Sequence, residues 1–225
     1  MNTNNIKNYA PKARAAFIAA MTKRAALFGI REASIPAMGI APLEQKGDLA
    51  LIGERAFPTS IIRPRAALVK KVEHLGFAQA MEQAAYSWFN RLCAIRYMEL
   101  KGYLDHGRRV LSAADGSAAT PQILGDCLDI DLPGLNKQRI AELKLDGNKD
   151  EELYRELVLG QCHALHQAMP FLFEAVDDAT ELLLPDNLTK TDSLIRELVS
   201  AIPEEDWANI EIIGWLYQFY ISEKK

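Results

Sequence analysis

Apolar positions recur with a helical period over most of this chain, and the densest run is residues 81–100, MEQAAYSWFNRLCAIRYMEL. At about 100° per residue, Met81, Ala84, Ala85, Trp88, Leu92 and Ile95 fall in one continuous stripe. Tyr86, Phe89, Cys93, Tyr97, Met98 and Leu100 spread apolar surface around most of the remaining circumference. A helix that is apolar nearly all round is a buried one, so this segment is expected to be the hub of the fold. Arg96 and Glu99 lie inside the stripe three residues apart, a spacing at which they can pair.

Around that hub the pattern predicts further helices. Pro11 suits a first helical position, and Phe17, Met21, Ala25 and Phe28 give one apolar face, predicting a helix from Pro11 to about Phe28 with Gly29 just past its end. Residues 30–60 carry Pro36, Gly39, Pro42, Gly47, Gly53 and Pro58, too much punctuation for a long element. Within them, residues 48–53 are expected to form a short strand or hairpin arm. A second helix is predicted over residues 61–75, ended by Gly76. Beyond Gly102 the chain turns irregular, with a turn at Asp115-Gly116-Ser117. Thr120-Pro121 then reads as cap and first position of a short helix to about Leu128.

Helices follow over residues 137–145, 150–168, the second half of 171–184, and 192–202. The last predicted helix, residues 204–221, starts with Glu204, Glu205 and Asp206, where the helix dipole favours acids. Its run from Ile212 to Ile221 is interrupted only by Gly214 and Gln218. So apolar a helix needs cover on several sides. No Gly or Pro stop signal follows it, so the chain is expected to be the front part of something longer; an obligate oligomer is the rival expectation. The fold class predicted is mainly α, a multi-helix bundle with long irregular loops and at most a short β hairpin.

Composition narrows the class without revealing chemistry. A chain of 225 residues that is 49% hydrophobic and 25% charged has ample length for a core and the balance of a soluble globular protein. No apolar run reaches a membrane span and the N-terminus lacks a signal-peptide core, so a cytoplasmic protein without membrane contact is expected. Three scattered cysteines, Cys93, Cys127 and Cys162, suggest reduced thiols. Charge is uneven: residues 1–110 hold 17 Lys and Arg against 8 Asp and Glu, and residues 111–225 hold 9 against 22. The chain therefore divides into a basic helical half, 1–110, containing the buried helix 81–100, and an acidic helical half, 111–225. The two halves are expected to attract each other within one domain, and the basic one can also attract polyanions.

Motifs that carry chemistry are few. There is no Gly-x-Gly-x-x-Gly, no Walker loop and no Gly-x-Ser-x-Gly elbow. His163 and His166 stand three apart beside Cys162, an admissible ligand spacing that lacks further indicated ligands; two ordinary helix histidines are the plainer reading. Asp146-x-Asn148-x-Asp150 begins like a calcium loop but has Glu151 where the turn requires glycine and Leu157 at the twelfth position. A capped turn is expected instead. What remains is a set of cations from separate segments: Lys12, Arg14, Lys23, Arg24, Arg63, Arg65, Lys70, Lys71, Arg108 and Arg109. These could converge on phosphates without reading bases, and no zinc finger or RNA-recognition signature accompanies them.

Residues 84–112, AAYSWFNRLCAIRYMELKGYLDHGRRVLS, closely resemble the N-terminal region of the PglX methyltransferases of bacterial BREX phage-defence systems. So do the opening IKNYAPKARAAFIAAMTKRAALFGI, the RAFP of residues 55–58 and the closing IEIIGWLYQFYISEKK, in the same order along the chain. The resemblance implies a large, cytoplasmic, S-adenosylmethionine-dependent enzyme that methylates adenine N6 in a short non-palindromic DNA site, marking host DNA as self. Such enzymes flip the target base out of the duplex. The family's Asn-Pro-Pro-Tyr motif and glycine-containing cofactor loop are absent from these 225 residues, so no catalytic, cofactor or metal residue is carried over.

The chain is accordingly expected to be an accessory helical region of such an enzyme. It would give DNA-backbone contacts through the ten cations, or dock on the downstream methyltransferase domain through Trp215, Phe219 and Tyr220. The alternative is a protein-interaction module for other defence components or phage inhibitors, through self-association among other routes.

Overall fold

A computed structural model describes residues 3–170, 173 and 178–222. It is mainly helical, as expected: among the described residues there are nine α-helices and one small three-stranded sheet. The chain divides into two compact units. The first comprises Met1–Ala16, Phe89–Ala175 and Asp186–Lys225; the second comprises Phe17–Trp88 and Val176–Pro185.

Two long helices contribute to both units. The first, α1, runs Asn4–Leu27 and is longer than predicted, with Pro11 inside it. An internal proline forfeits a backbone hydrogen bond. Here the apolar face continues upstream through Ile6, Tyr9, Ala10 and Ala13, all buried, and that burial offsets the loss. The hub helix is present as predicted; it follows α2 (Ile62–Leu75) and forms α3, Phe77–Lys101. Ala80, Met81, Ala84, Ala85, Trp88, Phe89, Leu92, Cys93 and Ile95 are all buried.

In the second unit, residues 43–58 form the antiparallel sheet β1 (Leu43–Lys46), β2 (Leu49–Ile52) and β3 (Arg55–Pro58), in that order. The predicted hairpin arm is thus the middle strand of three. Its register pairs Ala50 with Gln45 on one side and with Phe57 on the other. Both connections are two-residue turns that begin with a positive-φ glycine, Gly47 and Gly53, as tight hairpins demand. Ala50 and Ile52 alternate inward, and Phe57 sits 5.3 Å from Phe28 at the end of α1.

Helix α2 lies against the short helix whose bounds are Asp178–Leu183. Trp88 donates its indole N–H to the Thr180 carbonyl at 2.9 Å, and Arg24 donates to the Leu182 carbonyl at 3.1 Å. Much of the predicted segment 171–184 lies outside the described residues, but its second half is this helix.

The first unit is built on α4 (Gln122–Gly125), α5 (Lys137–Leu145) and α6 (Asp150–Ala168), the last two with the predicted bounds. The helix Asp178–Leu183 is α7 in chain order, followed by α8 (Leu194–Ala201) and α9 (Glu211–Ile221). Asn136 and Ser193 cap α5 and α8 by accepting from the N–H three residues on. Thr120 does not cap α4; Pro121 stands at that position, and the free N–H of Gln122 goes to the Ser112 carbonyl at 2.9 Å. The final predicted helix is broken in two. Glu204–Ala208 is a 3₁₀ turn, and Asn209 is extended before α9 begins. Trp207 explains the break: its ring is buried and its indole N–H reaches the Ile202 carbonyl at 3.3 Å, while buried Asp206 accepts from Asn5. Among the described residues, no helix is long and apolar enough to cross a membrane.

Candidate functional site

The charge boundary at residue 110 does not coincide with the boundaries of the compact units. The second unit carries nine Lys and Arg against nine Asp and Glu, and the first carries 17 against 21. A surplus of positive charge along the chain is therefore not a surplus on either unit. Lys12, Arg14, Arg108 and Arg109 belong to the first unit, and the other six candidate cations to the second.

Their surroundings separate them further. Arg65 is buried, with its Nε donating to the Phe28 carbonyl at 2.8 Å and an Nη donating to the carbonyl of Ala41. Burial lowers its pKa from the ordinary arginine value. As a phosphate contact Arg65 is corrected here: it is buried, and two of its N–H groups tie α1's end to the loop beyond. Arg24, besides its carbonyl bond, holds its guanidinium 5.0 Å above the Phe28 ring. Arg108 pairs with Asp126 at 2.7 Å, and Arg109 pairs with Glu204. Arg14 and Lys71 are half-buried, while Lys12, Lys23, Arg63 and Lys70 are exposed.

The most coherent set is on α2. Arg63 and Lys70 are seven residues apart, two turns and about 10 Å along the axis, so they share a face. His74, one turn further, is exposed as well. Glu73 is exposed on the same helix and reduces the local positive field.

The apolar candidates on α9 also divide. Tyr220 is 1% exposed and stacks on Phe89 at 4.3 Å, which in turn lies 6.4 Å from Tyr9; it is core, and its availability to a partner is corrected accordingly. Burial raises the pKa of Tyr9 well above its ordinary value. Trp215 and Phe219 are half-buried, stacked on each other at 5.9 Å, with the Lys7 ammonium 5.7 Å from the Phe219 ring. Ile212, Leu216 and Tyr220 form the inward stripe, whereas Ile210 and Tyr217 stand 60% and 46% exposed.

The i, i+3 spacing of Arg96 and Glu99 announces one internal pair but not its extent. Glu99 accepts from Arg96 at 2.6 Å, from the backbone N–H groups of Val110 and Leu111 at 2.6 and 2.8 Å, and from the Ser112 hydroxyl at 3.0 Å. Arg96 also donates to that hydroxyl, and Tyr154 donates to the Val110 carbonyl at 2.8 Å. The irregular segment after α3 is thereby fixed on a buried ion pair. With its lone pairs engaged, this carboxylate is a structural anchor rather than a base.

Among the described residues no group of three or more His, Cys, Asp or Glu could hold a metal ion. Nδ1 of His166 lies 2.7 Å from the Phe173 carbonyl, so it donates there. The Asp146 carboxylate accepts from the Asn148 N–H, as a capped turn does.

Two curated proteins match this chain from end to end. An adenine-specific methyltransferase, BrxX, of Escherichia coli O9:H4 (strain HS) is 55% identical over 227 residues. An adenine-specific methyltransferase, PglX, of Lacticaseibacillus casei (strain Zhang) is 31% identical over 250 residues. All of the chain is covered in both cases, but only 19% and 20% of those proteins, so the chain spans about a fifth of their length. No protein-family model matches it.

Proposed function

We propose that this chain is the N-terminal, non-catalytic helical region of a site-specific DNA adenine-N6 methyltransferase of BREX phage defence. The observation that carries this reading is the end-to-end similarity to two adenine-specific methyltransferases that are about five times longer. The basic residues 1–110 and the acidic residues 111–225 serve one functional region. S-adenosylmethionine and the transfer of its methyl group belong to the remainder of the enzyme, since these 225 residues contain neither Asn-Pro-Pro-Tyr nor a Gly-x-Gly-x-x-Gly loop. The contribution of this region is to hold double-stranded DNA by its backbone, with Arg63 and Lys70 on α2 as the leading contacts and Lys12 and Lys23 as further exposed cations. Phosphate contacts of this kind position a duplex without reading it. Sequence choice and chemistry then fall to the rest of the protein, in the cytoplasm.

Fluorescence anisotropy on a short duplex at rising salt tests this. Affinity is expected to fall linearly on a log–log plot, and the double reversal Arg63→Glu, Lys70→Glu is expected to reduce the slope by roughly two. Salt-insensitive binding, or a slope unchanged by the reversal, removes DNA from the reading.

A second reading is favoured by α9 and the residue before it, where exposed Ile210 and Tyr217 and half-buried Trp215 and Phe219 leave apolar surface facing outward. It makes the chain a protein-interaction module, for the downstream methyltransferase domain, other defence components, phage inhibitors or a second copy. Sedimentation of the chain separates these: a tight dimer favours self-association, and a monomer favours a contact with other protein.

A further inference from the structure

The second unit contains a cleft of about 680 Å³ between the end of α1, the loop that follows it and the β2–β3 turn. Leu27, Met38 and Ile52 supply apolar lining, and Arg31, Glu54 and Arg55 are at its polar parts, with Glu32 beside them. Its volume is that of an ordinary ligand site.

Three features show that the walls are held in place. The loop folds back on itself through an Ile30–Ile40 bridge, with Arg31 N–H donating to the Gly39 carbonyl at 2.8 Å and Ala41 N–H to the Gly29 carbonyl at 2.7 Å. Buried Arg65 clamps the two arms from behind by donating to the Phe28 and Ala41 carbonyls. Both arms approach so closely that only glycine fits: a Cβ on Gly29 would lie 2.6 Å from the Ile52 methyl, and one on Gly39 would strike the Arg31 carbonyl oxygen. Meanwhile Met38, in the lining of this cleft, is left 79% exposed.

We propose that this cleft is a docking site for a protein segment carrying one apolar side chain flanked by charges of both signs. Charge complementarity selects that occupant. Arg31 and Glu32 come from the loop and Glu54 and Arg55 from the β2–β3 turn and the start of β3, so the lining is neutral overall and offers each sign a partner. A nucleic-acid backbone would gain the two guanidiniums and meet the two carboxylates. An apolar side chain would meet half-buried Leu27 and bring Met38, unbranched and adaptable, down upon it. Apolar and charged side chains lining one cleft suit a protein contact. This inference is independent of the α2 contacts and of which longer protein the chain serves.

The test is a methyl NMR titration of the 225-residue chain labelled at methionine, with Met38 as reporter and buried Met21 and Met81 as internal references. The probes are acetyl-Arg-Leu-Glu-amide, its serine-centred analogue, acetyl-Glu-Leu-Glu-amide and a single-stranded oligonucleotide. The first is expected to shift Met38 saturably, with a dissociation constant on the order of 1 mM. The serine analogue is expected to bind about tenfold more weakly, from the lost apolar contact. Arg55→Glu is expected to weaken the first probe about threefold, as an exposed ion pair does. Arg55 is exposed, so Arg55→Glu leaves the fold intact. No saturable shift, an equal response to the serine analogue, or saturation by the oligonucleotide at the same methyl each overturns the proposal.

Discussion

Arg96 and Glu99, one helical turn apart on α3, form a 2.6 Å ion pair from which water is excluded, and the Glu99 carboxylate also holds the backbone N–H groups of Val110 and Leu111. Removing one partner of a buried pair leaves the other charge uncompensated, which is worse than removing both. Glu99→Ala is therefore expected to cost about 3–5 kcal/mol. The double variant Arg96→Met, Glu99→Leu is expected to lose less than Glu99→Ala alone. Urea denaturation of the three proteins measures this, and a double variant less stable than Glu99→Ala would contradict it.

Glu204 sits at the edge of the same network. Its pKa is lowered chiefly by the hydrogen bond from Arg109. A carboxylate with a depressed folded-state pKa contributes stability above its unfolded pKa and loses it as pH falls through the folded value. Thermal stability is expected to decline as pH drops below about 4, and to decline less steeply in Arg109→Ala. The difference is small because the Glu204 side chain is 41% exposed and solvent screens the pair. Parallel melting curves across acid pH check the sign.

Two arginines on α2, two residues apart, should behave oppositely. Arg65→Ala is expected to destabilise the fold by about 1–3 kcal/mol, because two carbonyl oxygens lose their donor. It should leave the salt dependence of DNA binding unchanged. Arg63→Ala is expected to do the reverse, with stability within about 0.5 kcal/mol of the parent and a slope reduced by about one. Denaturation and anisotropy on the same two samples decide it.

The two sides of α9 offer a similar contrast. Tyr220→Ala is expected to cost about 3–5 kcal/mol, since it empties a ring stacked in the core. Tyr217→Ala, on the exposed side, is expected to change stability by no more than about 0.5 kcal/mol. A chemical-denaturation pair suffices to compare them.

Local pattern carried far into this protein. The buried α3, the bounds of α5 and α6, the glycine that ends α2 and the i, i+3 spacing of Arg96 and Glu99 were all readable, because each depends on neighbours within a turn or two of helix. Local pattern starts α1 too late, at Pro11, because a proline's cost is local, whereas the burial of Ile6 and Tyr9 that carries the helix through Pro11 involves distant partners such as Phe89. The break before α9 has the same origin, in the enclosure of Trp207. Charge was the most misleading local signal. A string of basic residues specifies how many cations there are, but burial sends Arg65 to two carbonyls, Asp126 and Glu204 take Arg108 and Arg109, and the unit that holds α2 gathers as many acids as bases from separate segments. Sequence alone determined which segments are helical and which face of each seeks the core; only tertiary structure decided which charges reach solvent, because that depends on residues brought together from far along the chain.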